Sequence, residues 1–271
     1  MLDNNTISSF QQIVWQFYSI NKRHFVWRSI INPYRVVVSE IMLQQTQTFR
    51  VAQKFEEFVN AFPDFESLAQ AEFKDVLRVW QGLGYNRRAQ ALHNIAKIVT
   101  EECNGNLPTE PEILITFPGI GPNTAGSICA FAFNLPTVFI ETNIRAVFLH
   151  SFFQDKESVD DKEIIPLVEQ TIDKNNPREW YYALMDYGVM LKKHHANPSR
   201  KSKHHVVQSA FEGSDRQIRS MILKKLLKHE SVKLEQFFEL IDRDPERIKK
   251  IIEQMCKEKI IKESDGEYQI T

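Results

Sequence analysis

The sequence feature that most constrains this fold is a glycine-containing segment between two helical patterns. It runs Phe117-Pro118-Gly119-Ile120-Gly121-Pro122-Asn123-Thr124-Ala125. The two glycines permit backbone conformations closed to other residues, and they let main-chain N–H groups at the start of the next helix point outward at an anion. A bare Gly-Ile-Gly is more often a simple tight turn. The longer string, flanked by helices, instead predicts a helical hairpin that binds phosphate through Gly119, Gly121 and Thr124 without regard to base sequence.

The rest of the chain also favours helices, because only nine of its 271 residues are glycine and apolar stripes at helical spacing are common. The clearest predicted helix runs from Arg87 to about Cys103. After residue 211, three amphipathic helices and a hairpin around Asp265-Gly266 follow in the order of a winged helix. This block contains thirteen basic and thirteen acidic residues, so its charge does not decide between DNA and a protein partner. We expect an all-α chain with a small C-terminal winged-helix-like domain.

Composition excludes some classes and leaves others open. The formal net charge of −1 does not indicate a nucleic-acid partner, so any DNA-binding surface must come from local patches. No run reaches the ~18 apolar residues of a membrane span, and the N-terminus lacks the features of a signal peptide. Three scattered cysteines, Cys103, Cys129 and Cys256, suit a reducing compartment. We expect a cytoplasmic protein, associated with the nucleoid through DNA.

Four motifs together resemble those of a known family. They are the hairpin, the segment Phe139-Ile140-Glu141-Thr142-Asn143-Ile144-Arg145 that follows it, Trp80-Gln81-Gly82-Leu83-Gly84-Tyr85, and Met185-Asp186-Tyr187-Gly188. In order and spacing they resemble the helix-hairpin-helix (HhH-GPD) DNA glycosylase superfamily over about residues 25–191. A fifth stretch, Ser39-Glu40-Ile41-Met42-Leu43-Gln44-Gln45-Thr46-Gln47, is similar to the motif of MutY-type adenine glycosylases, and the stretches that begin at Trp80 and at Met185 also resemble that branch.

The resemblance implies two all-helical lobes with the active site in the cleft between them. It predicts a glycosylase domain over residues 1–205, followed by the winged-helix-like domain over 206–271. Within the first domain, a six-helix lobe spans about 30–136, and the second lobe combines 1–29 with 137–205. By the same resemblance the stretch Tyr34 to Thr46 is helical, although its three consecutive valines favour a strand.

Two carboxylates are the candidate catalytic groups. Glu40 lies among apolar neighbours, and partial burial would raise its pKa and help it to hold a proton. The resemblance implies that Glu40 protonates the departing adenine, and that Glu141 stabilises the sugar cation with help from Asn143. The family has aspartate where this chain has Glu141. The added methylene moves the carboxylate by about an ångström, a misplacement that can cost on the order of a hundredfold in rate.

Further site residues follow from the resemblance. Gln45 and Tyr85 match residues that enter the DNA stack when the target base is flipped out. Trp27, Arg28 and Asp186 match residues that line the base pocket. Arg87 and Arg88 directly follow the Gly-Leu-Gly turn and would suit phosphate contact. Asn123 stands where bifunctional relatives have a nucleophilic lysine, so we expect base removal without strand nicking.

The four cysteines that usually bind a [4Fe–4S] cluster in MutY-type enzymes are absent. On the same spacing, their positions hold Lys192, Ser199, Ser202 and Gln208, and thiolate ligation needs all four. The paired histidines nearby, His194-His195 and His204-His205, fit no standard zinc site. We therefore expect no cofactor and no metal, and we interpret Lys192 to His205 as a basic surface loop or linker.

The sequence thus predicts a monofunctional glycosylase of base excision repair that acts on duplex DNA, with adenine opposite 8-oxoguanine or guanine as the favoured target. Excision of another mismatched or damaged base, such as uracil or thymine, stays open. So does a catalytically weak protein that only binds lesions or mismatches, of which the altered acid Glu141 would be the mark. A third alternative is a DNA-dependent regulator that acts through the winged helix, which could also bind a protein partner.

Overall fold

A computed structural model describes residues 1–206 and 210–271 of the chain. The described residues contain fifteen α-helices, one 3₁₀ helix and three short strands. In chain order the helices before residue 200 are α1 Asn4–Asn21, α2 Val26–Ser29, α3 Pro33–Leu43, α4 Thr48–Ala61, α5 Phe65–Gln70, α6 Phe73–Trp80, α7 Arg87–Glu102, α8 Pro111–Leu114, α9 Pro122–Phe133, α10 Thr142–Phe152, α11 Asp161–Thr171 and α12 Pro177–His194. The 3₁₀ helix Pro198–Lys201 follows, and then α13 Asp215–Lys228, β1 Val232–Lys233, α14 Leu234–Leu240, α15 Pro245–Lys257, β2 Ile261–Ser264 and β3 Glu267–Ile270.

The described residues pack as two compact units, each built from two stretches of chain. Unit 1 combines residues 1–40 with the described part of 108–207, and unit 2 combines 41–107 with the described part of 208–271. The segment 108–136 therefore packs with the N-terminal helices, and the C-terminal block packs with helices α4 to α7. The boundaries expected from the sequence, at residues 136 and 205, divide the chain differently and stay a prediction.

Unit 1 has an aromatic core in which α12 packs along α10. Phe148, Trp180 and Tyr181 are fully buried there, and the ring of Phe10 from α1 lies 5.4 Å from that of Phe148. Gly188 allows the close approach of α12, because a Cβ at this position would collide with the carbonyl oxygen of Asn143. The glycine of the Met-Asp-Tyr-Gly motif therefore brings α12 against the start of α10.

Unit 2 combines four helices with the winged-helix block. The predicted helix from Arg87 is confirmed as α7, and five apolar residues on one side of it are fully buried: Ala89, Leu92, Ile95, Ala96 and Val99. The predicted hairpin is confirmed as β2 and β3, joined by a turn at Asp265-Gly266. The sheet order is β1-β3-β2, with both pairs antiparallel. The helix and strand order is that of a winged helix.

The stretch 33–43 is helical, as the resemblance predicted and against its valines. Val36, Val37 and Val38 are all buried within α3. Burial of these side chains outweighs their modest helix penalty, since propensity differences are only a few tenths of a kcal/mol per residue.

The interpretation of Lys192 to His205 as a basic surface loop is only partly confirmed, because residues 193–196 and 203–205 are exposed but other parts of the segment are ordered. Helix α12 continues to His194, and the 3₁₀ helix then places Ser199 and Ser202 in buried positions. Ser199 Oγ donates a hydrogen bond to the carbonyl oxygen of Thr142 at 3.3 Å, and Ser202 forms a bridge with Val159. Main-chain hydrogen bonds with Val159 therefore fix this segment despite its charge. Gln208 lies outside the described residues, and the absence of a cluster or metal stays a prediction.

Among residues 1–206 and 210–271, no helix has both the length and the apolar character that a membrane span requires.

Candidate active site

Glu40, near the C-terminal end of α3, is a half-buried carboxyl group in unit 1. Its Oε2 atom accepts a hydrogen bond from Ser127 Oγ at 2.5 Å. Burial raises the pKa of Glu40 to about 7, the Ser127 hydrogen bond lowers it, and the negative charge of Glu141 raises it further. Exclusion from water disfavours the carboxylate, so a proton remains on Glu40 at a pH where an ordinary glutamate has lost it. A group with this property can act as a general acid near neutral pH.

Ser127 was not found by the sequence analysis. It lies on α9, is buried, and its hydroxyl oxygen is also 3.0 Å from the carbonyl oxygen of Thr124. A hydroxyl has one proton, so it can donate to the carboxylate of Glu40 or to this carbonyl. When Glu40 is protonated, its own O–H can donate a hydrogen bond to Ser127 Oγ. The hydroxyl of Ser127 then donates its hydrogen bond to the carbonyl oxygen of Thr124. One feature of the sequence could have indicated Ser127: it is a hydroxyl residue within the otherwise apolar run Ala125-Gly126-Ser127-Ile128-Cys129-Ala130.

Glu141 is the N-cap of α10. Its Oε1 atom accepts hydrogen bonds from the main-chain N–H groups of Asn143 at 2.8 Å and Ile144 at 3.0 Å, and its Oε2 atom accepts one from the side-chain amide of Asn143 at 3.2 Å. These donors lie at the positive end of a helix, where a negative charge is stabilised. The longer side chain therefore folds back onto α10 and holds its carboxylate in one orientation. Asn143 contacts Glu141, as the sequence predicted.

Two of the predicted base-pocket residues, Arg28 and Asp186, form a buried ion pair that Arg23 joins. Asp186 is fully buried and accepts hydrogen bonds from Arg28 Nη1 at 3.1 Å and from Arg23 Nε at 2.7 Å. The charge of Arg28 also lowers the pKa of Glu40, which places the guanidinium within electrostatic reach of that carboxyl. Trp27 is buried and stacks on Phe25 with 4.7 Å between ring centroids. Arg23 is a second residue that the sequence analysis missed.

The glycine-containing hairpin links α8 to α9. Gly119 has a φ of +76°, a conformation that favours glycine, and Gly121 is the N-cap of α9. Asn123, in the first turn of α9, is exposed, and its side-chain oxygen accepts a hydrogen bond from the N–H of Ile140 at 3.0 Å. This bond ties the hairpin to the strand-like segment that leads into Glu141. The hairpin thus presents an exposed helix N-terminus, which is the geometry expected of a phosphate clamp.

In unit 2, the two residues expected to enter the DNA stack lie on tight turns. Gln45 has a φ of 53° and Tyr85 a φ of 46°, which is rare for residues with side chains. Strained backbone of this kind persists where the surrounding structure holds it, and it is common at functional sites. Gln45 is exposed and Tyr85 half-buried.

Arg88 is not a phosphate contact, and this prediction is corrected. It is 8% exposed, and its two terminal nitrogens donate to the carbonyl oxygens of Ile41, Met42, Gln44, Leu83 and Gly84 and to the hydroxyl of Thr46, over distances of 2.6 to 3.2 Å. Helix periodicity turns Arg88 inward, whereas the side chain of Arg87 is 71% exposed and can meet solvent or DNA. Arg88 instead joins the turn that contains Gln45 to the turn that contains Tyr85.

Comparison with known proteins gives consistent results. Residues 38–172 match the family model for HhH-GPD superfamily base excision DNA repair proteins. The adenine DNA glycosylase of Buchnera aphidicola subsp. Baizongia pistaciae is 32% identical over 190 residues, which are 69% of this chain and 53% of that protein. The adenine DNA glycosylase of Mycobacterium tuberculosis (strain H37Rv) is 37% identical over 142 residues, or 52% of this chain and 46% of that protein. The chain spans about half the length of the curated relatives it matches.

Solved structures share the fold at low sequence identity. A thermostable thymine-DNA glycosylase aligns with a TM-score of 0.64 and 22% identity, over 69% of this chain and 88% of that one. Endonuclease III in a non-covalent DNA complex aligns with a TM-score of 0.56 and 16% identity, over 83% of this chain and 95% of that one.

Proposed function

The chain belongs to the HhH-GPD superfamily of base excision DNA repair proteins, and we propose that it is a monofunctional DNA glycosylase that removes a mispaired adenine from duplex DNA. The observation that carries the proposal is Glu40, whose pKa of about 7 leaves a large protonated fraction at neutral pH. The second group in the proposal is Glu141, whose carboxylate caps the N-terminus of α10 and whose negative charge raises the pKa of Glu40.

The proposed chemistry divides two roles between the two acids. Glu40 donates its proton to the adenine ring, which makes the base a better leaving group. As the N-glycosidic bond breaks, positive charge develops on the sugar, and the fixed carboxylate of Glu141 stabilises it electrostatically. A water molecule then adds to the sugar carbon and releases a proton, which restores the protonated form of Glu40 by way of solvent, and the products are an abasic site and free adenine. Asn143 acts as the positioning residue that orients Glu141.

The choice of adenine rests on the relatives, which are named adenine DNA glycosylases. We extend it to adenine opposite 8-oxoguanine or guanine, with uracil or thymine as the alternative target within the same chemistry. Asn123 supports base removal without strand cleavage, because an amide cannot form the Schiff base that begins the lyase reaction.

Single-turnover excision tests these proposals. Duplexes that contain adenine, uracil, thymine or hypoxanthine opposite guanine or 8-oxoguanine are incubated with the protein, and alkali then converts each abasic site into a strand break. We expect cleavage of the adenine duplexes after alkali and little without it. Glu40→Gln should reduce excision by at least a hundredfold, since general acid catalysis contributes ~10²–10⁴-fold. Parallel reactions with borohydride should trap no covalent adduct above background.

Each other outcome has a distinct meaning. Excision of uracil or thymine in place of adenine would keep the chemistry and change the substrate. Equal excision by Glu40→Gln would refute the assignment of the acid, and efficient borohydride trapping would show an amine nucleophile. DNA binding without excision on the whole panel, not improved by Glu141→Asp, would favour the lesion-binding alternative.

A further inference from the structure

Unit 2 contains a cleft that the proposed chemistry does not use. Its volume is about 710 Å³, within the ~300–1,000 Å³ typical of ligand clefts. One wall is the pair of turns that contain Gln45 and Tyr85, and the other wall is α13 of the winged-helix block. The C-terminal block therefore completes a surface that begins at the two strained turns.

The charged residues that line this cleft are all cationic. They are Arg50 and Arg87 on the side of the turns, and Arg216, Arg219 and Lys224 on α13. Within the described part of the chain, no aspartate or glutamate lines the cleft. The carboxylate of Glu258, which does not line the cleft, pairs with Arg219 and lies 3.8 Å from Arg87. Arg50 and Lys224 are exposed cations on opposite walls of the cleft. A polyanion fits this arrangement, because the field of one charge sign adds up across a cleft.

Tyr85 supplies an aromatic surface between the two walls. Arg216 Nη1 donates a hydrogen bond to Tyr85 Oη at 2.9 Å, and its guanidinium lies 5.3 Å from the centre of the ring. Leu77, Leu83 and Leu223 add apolar surface to the lining. Grooves that bind a nucleic-acid strand combine these same parts, a cationic wall along the backbone and an aromatic side chain on which a base stacks.

We propose that this cleft binds a DNA strand, with the backbone phosphates between Arg50 and Lys224 and a base on the ring of Tyr85 in place of the Arg216 guanidinium, since Arg88 lies over the same ring at 5.5 Å and is buried. The proposal assigns DNA contact to α13, the first helix of the winged-helix block. It rests on the proposed function in so far as the chain acts on DNA. A winged helix used as a sequence reader would instead present α15, the helix before its hairpin. The cleft is lined by α13 and not by α15.

Charge reversal on each helix tests the proposal in the full-length chain. The probe is a fluorescein-labelled duplex with one tetrahydrofuran residue, which cannot be excised, and binding is measured by anisotropy over a range of salt concentrations. Lys224→Glu should raise the Kd at least tenfold and lower the slope of log K against log salt by about one or more. Arg50→Glu, on the opposite wall, should act similarly. Lys250→Glu, an exposed lysine on α15, is the matched control and should change the Kd less than twofold.

The outcomes separate this proposal from the proposed function. The probe needs no excision, so the binding result stands even if the excision panel gives no product. Loss of binding in Lys250→Glu but not in Lys224→Glu would overturn the proposal in favour of α15. Loss only in Arg50→Glu would show that the turns bind DNA without the C-terminal block, and would overturn it as well. Circular dichroism melts of the three variants should coincide, because all three side chains are exposed.

Discussion

Two charged side chains withdrawn from solvent, Arg88 in unit 2 and Glu40 in unit 1, are compensated in opposite ways. In unit 2, Arg88 donates to five carbonyl oxygens and one hydroxyl, so its charge is surrounded by acceptors. In unit 1, Glu40 accepts a hydrogen bond from Ser127 and also faces the negative charge of Glu141. Burial lowers the pKa of Arg88 only to about 10, which leaves it charged at neutral pH, whereas burial raises that of Glu40 to about 7.

The difference separates a structural charge from a chemical one. A buried ion whose terminal nitrogens are surrounded by acceptors stabilises the segments around it, and its removal leaves those acceptors unpaired. A buried acid with incomplete compensation exchanges its proton near neutral pH, at a cost in stability. Sequence alone did not distinguish the two, because Arg88 was assigned to the surface.

The largest effect is expected when the compensated charge is removed. Arg88→Met should destabilise unit 2 by about 3–5 kcal/mol, because several buried carbonyl oxygens lose their donor. Urea unfolding measures the free energy. Arg87→Met is the control: its side chain is exposed and one position away, so the change should stay within about 0.5 kcal/mol. Equal losses in the two variants would remove the contrast between Arg88 and an ordinary surface arginine.

The next effect has the opposite sign. The fold raises the pKa of Glu40 from 4.5 to about 7, so the protonated form is favoured, and the cost of Glu40 accumulates as pH rises from about 4.5 to 7 and is fully present above 7. Glu40→Gln should therefore leave stability unchanged near pH 4.5 and increase it above pH 7, by up to about 3 kcal/mol. Thermal unfolding at pH 5 and pH 8 measures the difference. The exposed Glu101→Gln should show none, and a loss of stability at pH 8 in Glu40→Gln would contradict the buried-acid assignment.

The smallest effect is expected when the hydrogen bond from Ser127 to Glu40 is removed. The Ser127 hydrogen bond lowers the pKa of Glu40, so Ser127→Ala should move the alkaline limb of the excision profile to higher pH. The maximal rate should fall about tenfold, the effect of one hydrogen bond of ~1–1.5 kcal/mol. Single-turnover rates between pH 5 and 9 measure both quantities. Ser39→Ala is the control, because Ser39 is buried beside Glu40 but donates to the carbonyl oxygen of Val36. A shift to lower pH, or an equal shift in both variants, would refute the role of Ser127.

Much of the fold followed from local pattern. The α7 stripe and the turn at Asp265-Gly266 are local signals, and both are confirmed. The helix at 33–43 needed the resemblance, because its valines mislead when burial is unknown. Buried Ser199 and Ser202 could not be foreseen, since a dense run of cations within the chain resembles an exposed loop.

The candidate site followed from motifs, and its roles stay proposals. Glu141 and Asn143 meet because they are two residues apart at a helix start, a contact that sequence spacing can predict. Ser127 meets Glu40 across 87 positions of chain, and no periodicity specifies such a pair. Arg88 was assigned wrongly for a different reason: it lies four residues before buried Leu92, so the periodicity of α7 places it on the buried face, whereas its assignment to phosphate used only its position after the Gly-Leu-Gly turn.

The contact at Gly188 has a consequence for the precision of the site. A side-chain hydrogen bond can lengthen or change rotamer, but α12 meets the main chain of Asn143 at a point where Gly188 has no Cβ. A contact of this kind contains no rotatable bond. The thermal scatter of the Asn143 main chain is therefore limited by the stiffness of two helices. Glu141 accepts a hydrogen bond from that same main chain. The position of its carboxylate therefore depends on Gly188 having no Cβ.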